Sequence, residues 1–198
     1  MTVRIMLSVL LGVLFGLFFF PDQYLGLIGH IIDIGLCALL FFVGIDIGRN
    51  KDIIPKIMAN GIKIFLVPLM IALGSIIGSI AGGFLLGIPF YEAGAIGAGF
   101  GWYSLSAIEL SKYSAETGAL AFITNISREV IALISIPFIA KYIGKLESIA
   151  PAGATAMDTS LPVISNATNG NTAVISFITG LTLSALVPVL VPLLISLH

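Results

Sequence analysis

Acidic residues embedded in apolar sequence are the groups with the clearest capacity for chemistry. Glu129 lies about twelve residues from each end of an apolar run at 117–140. That spacing corresponds to about 18 Å, near the middle of a bilayer. An ionised carboxylate at that depth costs at least ~2.5 kcal/mol, so we expect Glu129 to bind a cation and a proton. The alternative is a structural ion pair, but its neighbour Arg128 points about 100° away on a helix.

A second acid, Asp158, lies in a stretch at 149–165 that also contains prolines, a glycine and hydroxyl residues. Such a stretch breaks a helix, and at membrane depth it requires a protein or water-filled surrounding. We expect Asp158, with Thr155 and Thr159, to contact a substrate or an ion. Asp158 is also suited to capping a half-helix, and the two roles are compatible.

A third group of candidates lies in the stretch at 93–110, which contains four glycines. Ser104 and Ser106 supply hydroxyls, and Trp102 and Tyr103 supply aromatic faces that attract cations. Contact with a substrate is one interpretation. Glycine packing and aromatic residues at the membrane interface are the other.

Helical spacing adds three more polar candidates. Asn125 precedes Glu129 by four residues and shares its helix face, so it is suited to bonding the carboxylate or the substrate. His30 and Asp33 are three residues apart within another apolar run. They form either a proton relay or a hydrogen-bonded pair inside the bundle.

Enzymatic motifs do not occur in the sequence. It contains no HExxH, CxxC, GxSxG or P-loop pattern. The buried acids lie in separate segments without metal-ligand spacing. We therefore expect no enzyme, no metal and no cofactor.

The composition indicates a membrane protein. Of 198 residues, 58% are hydrophobic and only 10% are charged, whereas soluble domains carry about 25% charged residues. These values exclude a soluble enzyme, a nucleic-acid-binding protein and a disordered chain. We expect one transmembrane domain covering residues 1–198.

Five apolar runs are long enough to cross a bilayer as helices, which needs about 20 residues. The two interrupted stretches, 93–110 and 149–165, predict broken or re-entrant segments, which often mark a transporter's binding site. The expected fold is an all-α polytopic bundle in the membrane. Its predicted spans are 3–20, 25–47, 62–88, 117–140 and 172–197.

The distribution of basic residues predicts the topology. The 48–63 loop carries four Lys or Arg residues and should be cytoplasmic. If 93–110 is re-entrant, residues 112–116 are outside and 141–147, with two lysines, are inside. The 149–165 segment would then enter from the cytoplasmic side.

Four motifs resemble those of the lysine exporter family known as LysO. They are LLFFVGIDIGRN at 39–50, GFGWYSLSAI at 99–108, NISREVIAL at 125–133 and GATAMDTSLPV at 153–163. The resemblance covers most of the chain. It implies a protein of the inner membrane that exports L-lysine and its toxic analogue thialysine. It also implies that Glu129 and Asp158 occupy the family's acidic positions.

The resemblance also bears on assembly. Longer members carry a further hydrophobic segment before the part matched here, and in some genomes that segment is a separate protein. We therefore expect a homodimer or a hetero-complex with a small membrane protein. The other expected partners are the lipid bilayer, lysine, and protons or sodium, but not nucleic acid.

The predicted function is that of a secondary transporter that exports lysine across the cytoplasmic membrane in exchange for protons. One alternative is an antiporter or channel for small cations. A second is a membrane subunit of a split complex that does not itself transport.

Overall fold

The computed structural model describes residues 64–198 continuously. Before them it describes eight isolated positions: Leu7, Leu11, Leu14, Phe15, Phe18, Ile34, Phe41 and Ile45. The predictions for the first two spans, for His30 and Asp33 and for the basic loop at 48–63 otherwise lie outside the described residues.

Residues 64–198 are helical, and no strand occurs among them, which confirms the all-α fold. Two 3-10 helices, Glu147–Ile149 and Gly153–Met157, separate the fourth and fifth α-helices. The six α-helices are α1 (Leu66–Leu86), α2 (Phe90–Gly97), α3 (Tyr103–Ser111), α4 (Ala115–Tyr142), α5 (Leu161–Ala167) and α6 (Gly170–Ile195).

Three of these helices, α1, α4 and α6, are long and apolar enough to cross a membrane. Their ends follow local capping rules. Gly87 ends α1 in the left-handed conformation, with φ at 72°, which glycine adopts readily. The Ser114 and Asn169 side chains cap α4 and α6 by accepting a hydrogen bond from a backbone N–H in the first turn. The fold is therefore that of a helical membrane protein, and the total of five spans stays a prediction.

The first interrupted stretch forms a hairpin of two short helices, α2 and α3. At its start, the Thr117 hydroxyl donates to the Glu92 carboxylate, so α2 begins beside the first turn of α4. At its tip, the Ser75 hydroxyl donates to the carbonyl of Gly97 at 2.8 Å, in the middle of α1. Helix α3 then returns to pack Ser111 against Gly118. Both ends of the hairpin thus lie at one end of α4. A re-entrant segment needs this geometry, and its sidedness stays a prediction.

The second interrupted stretch approaches from the opposite end of α4. It follows Tyr142 and reaches the N-terminal half of α6, where the Ser176 hydroxyl donates to the carbonyl of Ala156 at 2.7 Å. Helix α5 then returns, with Ile164 packed in one cluster with Ala132 and Ile136 of α4. The two broken segments are therefore opposed.

The tips of the two broken segments meet. The Ala154 N–H donates to the carbonyl of Phe100 at 2.8 Å, and Phe100 is fully buried. Phe100, Gly101 and Gly153 all have positive φ, at 49°, 98° and 62°. A Cβ atom at Gly153 would collide with the Phe100 carbonyl. This crossing therefore requires glycine, and it holds a non-glycine residue in a sparsely populated conformation of the kind that clusters at functional sites.

Candidate substrate-binding site

A cavity of about 240 Å³ lies beside the crossing. It receives side chains from both broken segments and from the long helices α4 and α6. Seven of the nine residues predicted to bind substrate line it. They are Trp102, Tyr103, Ser104, Glu129, Thr155, Asp158 and Thr159.

Thr159 connects the two acids of the cavity. Its hydroxyl donates to the Glu129 carboxylate at 2.5 Å, while its backbone N–H donates to the Asp158 carboxylate at 2.6 Å. The same hydroxyl oxygen lies 3.4 Å from Asp158. Since one hydroxyl proton serves one acceptor at a time, Thr159 holds Glu129 through its side chain and Asp158 through its backbone.

The charge of this cavity is one-sided. Both carboxylates line it, and none of the described side chains that line it is basic. Two like charges that share a partly desolvated site repel each other, and a bound cation or proton relieves that repulsion. The arrangement therefore favours a cationic ligand. Trp102 and Tyr103 add aromatic faces that attract cations.

Thr155 contributes mainly to the shape of the cavity. Its hydroxyl is 2.9 Å from both the Ala152 carbonyl and the Ser160 hydroxyl. The side chain is almost fully buried. These bonds add to the backbone bonds that Thr155 makes with Ala152 and Ser160.

Asn125 and Ser106 lie behind the cavity rather than in its lining. The Asn125 carbonyl oxygen accepts from the Gly101 N–H at 2.7 Å, and its amide donates to the carbonyls of Ile96 and Ala121. Ser106 donates to the carbonyl of Trp102 at 2.9 Å. Asn125 therefore braces the tip of the first hairpin, and its hydrogen bonds within 64–198 do not include the predicted one to Glu129.

Arg128 faces away from this cavity. Its guanidinium donates to the carbonyls of Pro151 (3.0 Å) and Ala150 (3.2 Å), and to the Ser75 hydroxyl at 2.6 Å. It forms no ion pair with Glu129, in keeping with the 100° between neighbouring residues. Sequence reasoning identified the charge of Arg128, but it did not predict these hydrogen bonds to the carbonyls of the second broken segment.

Ser184 and Met157 also line the cavity, and the sequence analysis missed both. Ser184 is on α6, and its hydroxyl lies 3.8 Å from the Met157 sulfur. Nothing in the apolar sequence of α6 singles out this serine. Residues 64–198 contain no group of three His, Cys, Asp or Glu side chains arranged to hold a metal.

Comparison with known proteins gives a family match over nearly the whole chain. The model of the family described as lysine exporter LysO matches residues 6–195. The chain is 34% identical to the "Lysine exporter LysO" of Escherichia coli K12 over 157 residues, which are 79% of this chain and 52% of that protein. It is 31% identical to the "Putative lysine exporter" of Haemophilus influenzae Rd over 156 residues, which are 78% of this chain and 79% of that protein. The chain thus spans about half the length of the E. coli relative. No solved structure matches it.

Proposed function

The chain belongs to the lysine exporter LysO family, and from that premise we propose that it is a secondary transporter that exports L-lysine, and the analogue thialysine, from the cytoplasm. It is a multi-pass membrane protein, of the inner membrane in bacteria. One observation carries the proposal. Glu129 and Asp158 share a 240 Å³ cavity at the meeting point of two opposed broken segments, with no basic side chain among its described lining residues.

The chemistry of lysine suits this cavity. Lysine carries two ammonium groups and one carboxylate, so a site for it needs acids and an apolar wall for the alkyl chain. Glu129 and Asp158 supply the acids, while Trp102 and Met157 supply apolar surface. We propose that both carboxylates contact ammonium groups of the substrate and that Ser104 contributes a hydroxyl. The volume also favours an organic cation over a bare metal ion, because one water molecule occupies about 30 Å³. The cavity therefore has room for several water molecules, far more space than a single metal ion fills.

The energetics of export favour exchange. Moving one positive charge outward against an inside-negative potential costs about 2.3 kcal/mol per 100 mV. An empty, ionised Glu129 is costly at low dielectric. The site should therefore change the side to which it is open only while lysine or a proton neutralises this carboxylate. We propose one-for-one exchange of lysine outward for a proton inward, with sodium as the alternative counter-ion.

The opposed broken segments supply a route for alternating access. Each tip reaches the cavity, and the two approach it from opposite ends of α4. Motion of one segment at a time would open the cavity to one side while the other segment stays closed. The backbone hydrogen bond between Ala154 and Phe100 is the contact that such motion would break and re-form.

Efflux of labelled lysine from loaded proteoliposomes tests this function. Glu129→Gln removes the charge but keeps the shape, so efflux should fall to background. Glu116→Gln makes the same change at an exposed residue in the first turn of α4, and its efflux should equal that of the unchanged protein. An external pH dye should report proton uptake that depends on lysine. Equal efflux in both variants would contradict the proposal.

The same experiment separates the alternatives. Unlabelled lysine and thialysine should compete with efflux, whereas sodium or potassium should not replace lysine as the exported cation. An antiporter or channel for small ions predicts the reverse.

Reconstitution with and without a neighbouring small membrane protein distinguishes an autonomous transporter from a subunit of a split complex. Cross-linking in native membranes then tests the proposed homodimer or hetero-complex.

A further inference from the structure

Two hydrogen bonds of Arg128 hold the second broken segment just before the crossing. The guanidinium donates through Nε to the Pro151 carbonyl at 3.0 Å and through Nη2 to the Ala150 carbonyl at 3.2 Å. It also lies close to Gly153, where a Cβ atom would be 3.0 Å from Nη2. The Arg128 side chain therefore packs directly against the segment that forms one half of the crossing.

A third bond of the same guanidinium leads to the first broken segment. Nη1 donates to the Ser75 hydroxyl of α1 at 2.6 Å, and that hydroxyl donates in turn to the Gly97 carbonyl at 2.8 Å. The Gly97 carbonyl also accepts from the Phe100 N–H at 3.2 Å. Because each hydrogen bond in such a chain polarises the next, the contact with Arg128 strengthens the hold of Ser75 on the hairpin tip.

These bonds close a ring around the crossing. On one side of the ring, the Ala154 N–H donates to the Phe100 carbonyl, and Ala154 lines the cavity. On the other side are Arg128 and Ser75, which with Thr124 line a lateral groove of about 910 Å³ between α1 and α4. Neither Arg128 nor Ser75 lines the cavity. The two broken segments are thus joined twice, once on the cavity side and once on the groove side.

We infer that Arg128 and Ser75 are positioning residues, which keep the two broken segments together on the groove side while the bond between Ala154 and Phe100 opens and re-forms on the cavity side. This inference rests on the proposed function, in which that motion gives the cavity alternating access. A guanidinium at mid-membrane depth is costly without acceptors, so Arg128 resists a separation that would remove them. The segments can then part at the cavity and meet again in the same register.

The reactivity of a cysteine inside the cavity tests this role. Ser184 lines the cavity and is only 8% exposed, so Ser184→Cys in a Cys37→Ser background should react with a thiol reagent mainly when the cavity opens. Without lysine, adding Ser75→Ala should raise the reaction rate by roughly threefold to tenfold, which corresponds to the loss of one hydrogen bond.

Ser79→Ala is the matched control. Ser79 lies one turn along α1 from Ser75, and its hydroxyl donates to the Ala93 carbonyl of the same hairpin at 2.5 Å. It is not among the described hydrogen-bond partners of Arg128. The reaction rate with Ser79→Ala should therefore equal that of the protein without it. A rate for Ser75→Ala that is no higher than the rate for Ser79→Ala would overturn the inference.

A double-mutant cycle tests whether the two residues act as one link. Arg128→Met removes all three hydrogen bonds of the guanidinium and should raise the rate at Ser184→Cys at least as much as Ser75→Ala does. Residues that share one hydrogen-bond network are not additive, so the combined variant should react more slowly than the product of the two increases predicts. Two increases that multiply in full would show that Arg128 and Ser75 act independently, against the inference.

Lysine binding and efflux separate a positioning role from a change in the site itself. Ser75→Ala leaves Glu129 and Asp158 intact, so its affinity for labelled lysine should be unchanged, while efflux at saturating lysine should fall by at least roughly threefold. A loss of affinity that matches the loss of efflux would overturn the inference. If lysine does not protect Ser184→Cys in the protein that keeps Ser75, the proposed binding site is wrong, and the rates measured without lysine still decide the role of Ser75.

Discussion

Arg128 and Glu129 are neighbours in sequence, but they face different sides of α4. Glu129 faces a 240 Å³ cavity with a second acid and several hydroxyls. Arg128 faces a 910 Å³ groove and binds backbone carbonyls. Because neighbouring residues on a helix diverge by about 100°, opposite charges side by side need not neutralise each other. Here one charge is left for a ligand and the other supports the backbone.

The two sides also solve the problem of broken backbone differently. On the groove side, the guanidinium satisfies the carbonyls of Ala150 and Pro151, which a regular helix would have satisfied internally. On the cavity side, Thr159 donates its backbone N–H to Asp158 and its hydroxyl to Glu129. The groove side therefore fixes the segment, while the cavity side keeps acceptors that a cation can reach.

The largest expected effect on stability is at the crossing. Gly153→Ala should lower the free energy of unfolding by at least ~2 kcal/mol, because the left-handed conformation costs an alanine about 1–2 kcal/mol and its Cβ would strike the Phe100 carbonyl. Gly82→Ala is the control, since a Cβ there meets no described atom within 4 Å. Denaturant unfolding in micelles measures both variants. Equal stability of the two would contradict the geometry of the crossing.

A somewhat smaller effect is expected where α4 braces the hairpin tip. Asn125→Leu keeps the volume but leaves the Gly101 N–H unpaired, at a cost of about 1–3 kcal/mol. Thr124→Val, on the groove side of the same turn, should change stability by less than ~0.5 kcal/mol. Thermal unfolding of the two variants compares the sides directly. A larger loss for Thr124→Val would reverse the assignment of the two faces.

The smallest of the three effects concerns the link between the acids. Thr159→Val removes the donor to Glu129, a bond to a charged group worth about 1.5–3 kcal/mol. Bound lysine pairs with the acid and makes up part of that loss, so we expect lysine affinity to rise by about tenfold, or ~1.4 kcal/mol. Thr159→Ser keeps the hydroxyl and should retain the original affinity. Titration with labelled lysine distinguishes them, and identical affinities would mean that this bond does not stabilise the Glu129 carboxylate in the empty site.

The sequence was sufficient to predict the long helices and most of the cavity. Apolar runs with a few interruptions give α1, α4 and α6 directly, because length and hydropathy decide a membrane helix. Glu129 and Asp158 stood out because a mid-membrane acid is costly. Glycines and prolines predicted the two broken segments. The structure shows that Glu129 and Asp158 line one cavity beside the tips of these segments.

Other features could not be read from the sequence, for physical reasons. Asn125 shares a helix face with Glu129, yet it accepts from the Gly101 N–H. Leaving this buried backbone donor unpaired would cost more than leaving out a bond to the Glu129 carboxylate, which already accepts from Thr159. Ser184 is one of several hydroxyl residues of α6, and only the fold brings it to Met157. The three acceptors of Arg128 come from segments distant in sequence, and helical spacing carries no information about them.

Protection of an engineered cysteine by lysine tests most directly that the Glu129 cavity is the binding site. In a Cys37→Ser background, Ser104→Cys lines the cavity and Thr124→Cys lines the groove. The rate of reaction with a thiol reagent is measured for each with lysine, and with norleucine, which lacks the side-chain ammonium. We predict that lysine slows the reaction at Ser104→Cys, that norleucine does not, and that neither changes the rate at Thr124→Cys. An unchanged rate at Ser104→Cys in saturating lysine, or lysine protection at Thr124→Cys instead, would contradict the account.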